Sequence, residues 1–419
     1  MYAPREMQWI SALSTRPSLE AALKEVVEQA QQGLRGKADL GLIFISSAFA
    51  SEYSRLMPLL QEHLPGVAIA GCGGGGVIGM NRGGITEEIE AAPAISISLA
   101  RLPGVQVKTF HIAAEALPDM DSPPDTWVQQ IGVSAQEQPQ FILFADPFSA
   151  RITDLLQGLD YAYPGSAKVG GLASGGAMGR SAALFCNYRL YREGTVGVAL
   201  SGNIVLETIV AQGCRPIGQP YRVTEGERNI VLGLEEQNIS DQPIGSRRAR
   251  SPLEALRDLI STLSEEDRQL AGHSLFVGVV RDEFKVKLEQ GDFLIRNLLG
   301  VDPKVGAIAI GDRVRPGQRI QFHLRDARTS AEDLEMLLTR YQRAAPFNSV
   351  TNRSGALMFS CMGRGEGLYG EPNFDSRLFS RYFNNIPLSG FFCNGEIGPV
   401  GGGTFLHGYT SVFGICRQP

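Results

Sequence analysis

No apolar run in this sequence approaches the ~20 residues that span a bilayer. The N-terminus has no basic stretch leading into an apolar one, so neither a membrane helix nor a secretory leader is expected. Cysteine is sparse: the six residues Cys72, Cys186, Cys214, Cys361, Cys393 and Cys416 form no C-x-x-C pair. That excludes a disulfide framework and the usual zinc spacings, and points to reduced thiols in a cytoplasmic protein. Histidine is scarcer still, and His63, His111, His273 and His323 are isolated, so no metal site is expected. Charged residues are 20% of the chain and the net charge is −5. A basic face for nucleic acid or an anionic membrane is therefore missing. The one basic cluster, Arg247, Arg248 and Arg250, reads as a solvated loop. No pattern implies a cofactor.

Glycine is abundant, at 49 residues, and gathers in short runs rather than in low-complexity sequence. The chain around those runs repeats a grammar of helix, apolar strand, helix, short strand, glycine loop and further strands. The first helix, Ser18 to Leu34, places Leu19, Leu23, Val26, Val27 and Ala30 on one face. The strand Leu40 to Ile45, a helix over Ser51 to His63 and the strand Val67 to Ala70 lead to the loop Gly71 to Gly76. The strand Phe141 to Ala145, a helix over Ala150 to Leu159 and the strand Ala167 to Val169 lead to the loop Gly170 to Gly179. The strand Gly355 to Ser360, a helix over Asp375 to Phe383 and the strand from Leu388 lead to the loop at Gly395. From strand start to loop the three copies measure about 31, 29 and 39 residues. Further strands are expected at Ala94 to Arg101, Val105 to Ile112, Ala182 to Tyr191 and Thr404 to Gly414, and Ser251 to Glu254 and Ser330 to Asp333 read as capping boxes. The expected fold is α/β, with mixed β-sheets built from repeated helix–strand units and Gly-rich loops, in two halves. A polar, Gly/Pro-punctuated linker over residues 215–250 divides a first domain, 1–214, from a second, 251–419.

Chemistry-bearing residues concentrate in the closing run PLSGFFCNGEIGPVGGGTFLHGYTSVFG. Cys393, Asn394 and Glu396 share a turn, and His407 follows in the next strand. Two readings stand for the turn: Asn394 and Glu396 recognise a ligand, or Asn394-Gly395 is a plain turn whose Glu396 satisfies nearby amides. Cys393 and His407 invite a thiol-nucleophile reading, which requires an activated thiolate and a base in reach. A Cys after Phe391 and Phe392 is also an ordinary small buried hydrophobe. Gly71, Gly73 and Gly76 spell G-x-G-x-x-G, but Gly79, Gly83 and Gly84 break the helix that a dinucleotide site needs, leaving an amide nest for a small anion at Gly73 and Gly74. Cys361 and Arg364 end their strand beside the closing loop; Arg364 is either an ordinary surface arginine or a clamp for a carboxylate, in which case Glu396 would take an ammonium group. Gly171 is the counterpart in the second loop.

CNGEIGPVGG followed by TFLHGYTS resembles the closing signature of FIST domain proteins. GALMFSCMGRG and FLIRNLLGVDPKVGAIAIGDRVRPGQRIQFHLRD are similar to further passages of that family. The resemblance spans most of the chain and implies FIST N-terminal and C-terminal halves in a small-ligand sensor, with amino acids among its ligands. It favours the ligand-binding reading of Asn394 and Glu396. Eukaryotic members carry an F-box before this region, and this chain begins with the FIST-like part, so no ubiquitin-ligase role is expected. The expected binding residues are Cys393, Asn394, Gly395, Glu396, His407, Arg364, Cys361, Gly73, Gly74 and Gly171. Signalling would pass through an unknown downstream protein. The rival function is an enzyme that uses Cys393 and His407 on a small acyl or amide substrate.

Overall fold

A computed structural model describes residues 6–148, 151–176, 182–237, 249–344, 353–384 and 386–419. Arg247, Arg248, Ala150 and Gly179 lie outside them. The chain is mixed α/β and forms two compact units, one of residues 1–211 with 335–419 and one of residues 212–334.

The first unit is built from three copies of one motif. Copy one runs β1 (Gln8–Ser14), α1 (Leu19–Gly33), β2 (Leu40–Ser46), α2 (Tyr53–His63), β3 (Ala68–Gly74), β4 (Gly76–Met80), β5 (Thr86–Glu90) and β6 (Ile95–Arg101). Copy two runs β7 (Val105–Ile112), α3 (Pro124–Ile131), β8 (Gln140–Ala145), α4 (Ile152–Ala162), β9 (Lys168–Leu172), β10 (Leu184–Cys186), β11 (Arg189–Tyr191) and β12 (Thr195–Gly202). Copy three opens with β13 (Val205–Ala211) and is interrupted by the second unit. That insert holds β14 (Arg215–Glu227), β15 (Ile230–Glu236), α5 (Pro252–Thr262), α6 (Glu265–Ala271), β16 (Leu275–Val280), β17 (Phe293–Asp302), β18 (Ala307–Ile310) and β19 (Arg319–Leu324). After α7 (Ala327–Ala344) copy three resumes with β20 (Gly355–Cys361), α8 (Glu366–Tyr369), α9 (Phe374–Tyr382), β21 (Leu388–Cys393), β22 (Glu396–Val400), β23 (Gly403–His407) and β24 (Ser411–Arg417).

Three six-stranded sheets result, in the orders β1-β6-β2-β3-β10-β11, β7-β12-β8-β9-β22-β23 and β13-β24-β20-β21-β4-β5. Each has one parallel pair at its centre, β2–β3, β8–β9 or β20–β21, and antiparallel neighbours elsewhere. In every sheet the last two strands are a hairpin lent by another copy. The hairpin of copy one completes the sheet of copy three, that of copy three completes copy two, and that of copy two completes copy one.

The repetition extends to backbone geometry. Leu64, Tyr163 and Phe383 end α2, α4 and α9 with φ of −140°, −130° and −128° and ψ of 66°, 68° and 69°. Seven residues beyond each stands Gly71, Gly170 or Gly390, paired with Ile43, Leu143 or Met358. A Cβ on any of these glycines would lie 1.8 Å from the partner's carbonyl oxygen, so only glycine allows the parallel strands to approach there. The third loop therefore corresponds to Gly390 rather than to Gly395. The next residues on the partner strands, Phe44, Phe144 and Phe359, meet around Phe391 in one buried cluster, with ring centroids 5.3 to 6.2 Å apart.

Several expectations are revised. The glycine run Gly71–Gly76 is strand except for a one-residue bend at Gly75, and the stretch after it is a hairpin. Ala182 to Tyr191 and Thr404 to Gly414 each divide into two strands. The stretch 215–250 carries two long paired strands, so it is not a linker. With β16 to β19 these close a six-stranded barrel filled by Val277, Ile308, Ile310, Phe322 and Leu324. The Ser251–Glu254 capping box forms as expected. At α7 the cap is Asp326, whose carboxylate accepts from Thr329 N at 2.6 Å, while the Ser330 hydroxyl donates to Gly213 O.

Candidate functional site

In the first unit, three loops meet at the ends of the parallel strand pairs. Backbone hydrogen bonds join the second loop to the end of β3, from Ser174 N and Gly175 N to Gly73 O at 3.1 and 3.3 Å. They join the third to the second, from Leu172 N to Gly395 O at 2.8 Å and from Asn394 N to Leu172 O at 3.1 Å. Ser174 ties all three: its hydroxyl accepts from Gly75 N at 2.8 Å and donates to Phe392 O. Gly73 leaves room for the Tyr53 hydroxyl, which would lie 2.8 Å from a Cβ there. That hydroxyl reaches Ser46 O and Gly175 O at 3.3 and 3.4 Å.

Beside this junction is a cavity of about 580 Å³, within the range of small-molecule sites. Copy one supplies Ser47, Ala50, Tyr53, Gly75, Gly76, Glu90 and Ala91; copy two supplies Ser174, Gly175, Gly176 and Arg192; copy three supplies Met362 and Phe392. The wall is mainly apolar, with half-buried Glu90 on it and exposed Arg192 at its rim. Burial raises the Glu90 carboxyl above its ordinary range, opposed by a 2.9 Å hydrogen bond from Glu366 N. Burial also pushes the Tyr53 phenol up, with the nearby Arg192 charge acting against the rise. Among the described residues neither Glu90 nor Arg192 forms an ion pair with a protein group.

None of the ten expected binding residues is on the cavity surface. Gly73, Gly171, Cys393, Asn394 and Gly395 build the framework behind it. The amides of Gly73, Gly75 and Gly175 donate to Ala183 O, Ser174 Oγ and Gly73 O, so they do not form a nest for an external anion. Gly74 makes room for the Phe391 side chain, 3.0 Å from a Cβ there, and Gly171 for the Cys393 Sγ at 2.4 Å. Asn394 Nδ2 donates to Ala173 O at 3.3 Å.

The expected Arg364 clamp is filled from within. The guanidinium is buried, bonds both oxygens of Asp375 at 2.7 and 3.0 Å, and donates to the Tyr369 hydroxyl at 2.5 Å. Glu396 is fully buried and accepts from Thr410 N at 3.0 Å. It faces His407 across the hairpin, and His407 Nε2 lies 3.0 Å from Gly398 O. The equivalent pairs in the other hairpins, Val77 with Ile89 and Leu184 with Tyr191, are largely apolar. Cys361 is half-buried, its sulfur accepting from Gly363 N. Cys393 is fully buried; desolvation raises its thiol well above the usual range and the Glu396 charge raises it further. That is the reverse of thiolate activation. Among the described residues no group of three or more His, Cys, Asp or Glu could hold a metal ion, and no helix is long and apolar enough to cross a membrane.

The residues missed from sequence are Glu90, Arg192, Tyr53 and Ser174. Each stands where a strand ends or a helix begins, among ordinary polar neighbours, and no local pattern marks it.

The cavity lies at the ends of interleaved strands, with two opposite charges among its lining residues. The chain belongs to the FIST family: the FIST N domain model matches residues 39–237 and the FIST C domain model residues 252–399. FIST domains are associated with sensory signal transduction. An uncharacterised protein of Mycobacterium tuberculosis is 32% identical over 404 residues, 96% of this chain and 98% of that one. One of Mycobacterium bovis is 32% identical over 402 residues, 96% of each. Human F-box only protein 22 is 34% identical over 192 residues, 43% of this chain and 44% of that one. Among solved structures, PurLQS from Thermotoga maritima aligns at 11% identity with a TM-score of 0.22, over 99% of this chain and 72% of that one, too slight a likeness to carry an argument.

Proposed function

We propose that this protein is a cytoplasmic small-ligand sensor whose binding site is the cavity between Glu90 and Arg192. The observation that carries the reading is a carboxylate and a guanidinium in one cavity, with no ion-pair partner for either among the described residues. The Glu90 carboxylate is half-buried, and a charge held partly out of water gains from a partner, while the exposed Arg192 offers a positive charge at the rim. A ligand with an ammonium and a carboxylate group, such as an amino acid, matches both. Met362, Phe392 and Ala50 would take its apolar part, and occupancy would be relayed to a partner protein. Free cysteines among the described residues support a reducing compartment. A Cys393-dependent enzyme has less support, because that thiol is buried and pushed away from ionisation.

The test is a thermal-shift panel of the amino acids, with simple amines and carboxylates as single-charge controls. At 100 times its dissociation constant a ligand stabilises by about 2.7 kcal/mol. A unit of about 300 residues should then gain ~4 °C. Glu90→Gln and Arg192→Gln should each abolish the shift. A flat response across the panel, or a shift surviving both substitutions, refutes the assignment.

A further inference from the structure

Glu90 has two faces. One lines the cavity; the other holds the protein's own chain. Its Oε1 accepts from Glu366 N at 2.9 Å, and the whole carboxylate packs on Gly365, where a Cβ would lie 2.3 Å from Oε1 and 2.7 Å from Oε2. Gly365 has φ of 65° and ψ of −149°, a backbone conformation that glycine adopts without strain. The turn that starts there is slight: Leu368 N and Tyr369 N bond Gly365 O, and Gly370 N bonds Glu366 O. Its first amide depends on a residue from another copy of the motif.

The flanks of this turn are fixed. Arg364 on one side and Asp375 on the other form the buried ion pair, with Tyr369 hydrogen-bonded to Asp375 Oδ1 at 2.8 Å. Glu88, two residues before Glu90 on β5, accepts from Ser376 N at 2.7 Å, and its own amide donates to Asn373 Oδ1. Motion of the turn at 365–370 is thereby confined between anchored ends.

We propose that Glu90 is the residue through which occupancy of the cavity is read out. A cationic group in the cavity draws the carboxylate off the Glu366 amide and loosens the turn Gly365–Gly370, while Arg364, Asp375 and Glu88 hold its surroundings in place. The proposal rests on the cavity being the ligand site, and it supplies the output that such a site needs. Oε1 holds the Glu366 amide while Oε2 has no hydrogen bond from the chain among the described residues, so a cation that engages Oε2 from the cavity pulls the carboxylate toward itself and weakens its hold on that amide.

The experiment needs no natural ligand. In the full chain Ser47→Cys places a thiol in the cavity wall. It is modified with aminoethyl methanethiosulfonate, which tethers an ammonium group, or with ethyl methanethiosulfonate, its neutral counterpart. Parallel treatment of the unsubstituted protein controls for labelling at Cys361. Hydrogen exchange by mass spectrometry then follows the amides of residues 366–370. The expected result is acceleration by about tenfold or more with the aminoethyl tether, the loss of one hydrogen bond to a charged acceptor, and no acceleration with the ethyl tether. Adding Glu90→Gln keeps an oxygen for the Glu366 amide but removes the charge, so the aminoethyl effect should vanish. Equal acceleration by both tethers, no acceleration by either, or an aminoethyl effect that survives Glu90→Gln overturns the proposal. The thermal-shift panel fails separately, since it asks only whether a natural ligand binds.

Discussion

The glycines opposite the three central carbonyls are the sharpest test of the threefold repeat. In Gly71→Ala or Gly390→Ala the new methyl group would begin 1.8 Å from the oxygen of Ile43 or Met358. Ordinary contact is near 3.5 Å, so the strands must part by about 1.5 Å at a spacing normally held near 4.8 Å. That breaks about two ladder hydrogen bonds in a dry interior. At roughly 1 to 1.5 kcal/mol each, with added strain, the cost is about 3 to 4 kcal/mol. Alanine returns about 0.4 to 1 kcal/mol by restricting the unfolded chain. Destabilisation wins, by about 2 to 4 kcal/mol, or ~3 to 6 °C for a unit of this size. Gly408→Ala is the control, because nothing lies within 4 Å of its Cβ position; its effect should stay within about 0.5 kcal/mol. Thermal unfolding by circular dichroism measures all three. Losses under about 1 °C for Gly71→Ala and Gly390→Ala would refute the claim that close approach requires these glycines.

Two buried groups should give the two units opposite pH responses. Burial in the barrel unit holds His323 down to about 4; its folded value is below the unfolded one, so stability is full above pH ~6.5 and falls by about 3 kcal/mol toward pH 4. Burial and the Asp375 charge raise Glu88 to about 7; its folded value is above the unfolded one, so its stability is full below pH ~4.5 and falls by about 3 kcal/mol as pH rises past 7. Native-state amide exchange in each unit from pH 4 to 8 checks both, with His323→Gln and Glu88→Gln expected to flatten the respective profile. Iodoacetamide at pH 8 should modify half-buried Cys361 well before Cys393, as read by peptide mass; fast labelling of Cys393 would restore the nucleophile reading.

Local elements were legible where one stretch of chain decides them. Leu19 to Ala30 announces α1 by period, and Ser251 with Glu254 announces α5 by its cap. The copies were legible too, because each repeats a strand, a helix and a glycine. In the third copy the Asn394-Gly395 turn imitates the glycine that Gly390 supplies, and the cap geometry at Leu64, Tyr163 and Phe383 leaves no mark in residue type. The exchange of hairpins was hidden, since pairs such as Gly171 with Glu396 join distant segments. The strands of 215–236 were hidden by Pro216, which pairs with His323, and by Gly218 and Pro220, which sit where the pairing of β14 shifts register. Glu90 and Arg192 acquire meaning only by facing one cavity.

The lent hairpins also set a timetable for synthesis. Strand β9 leaves the ribosome with one edge open, and its partner β22 follows about 225 positions later. At roughly 5 to 20 residues per second, that edge waits some ~11 to 45 s for its cover. Uncovered strand edges recruit other chains. The nascent protein therefore has a long interval in which to be shielded by a chaperone or to be lost to aggregation, and a message truncated before the last hairpin would yield a chain with two sheets left incomplete.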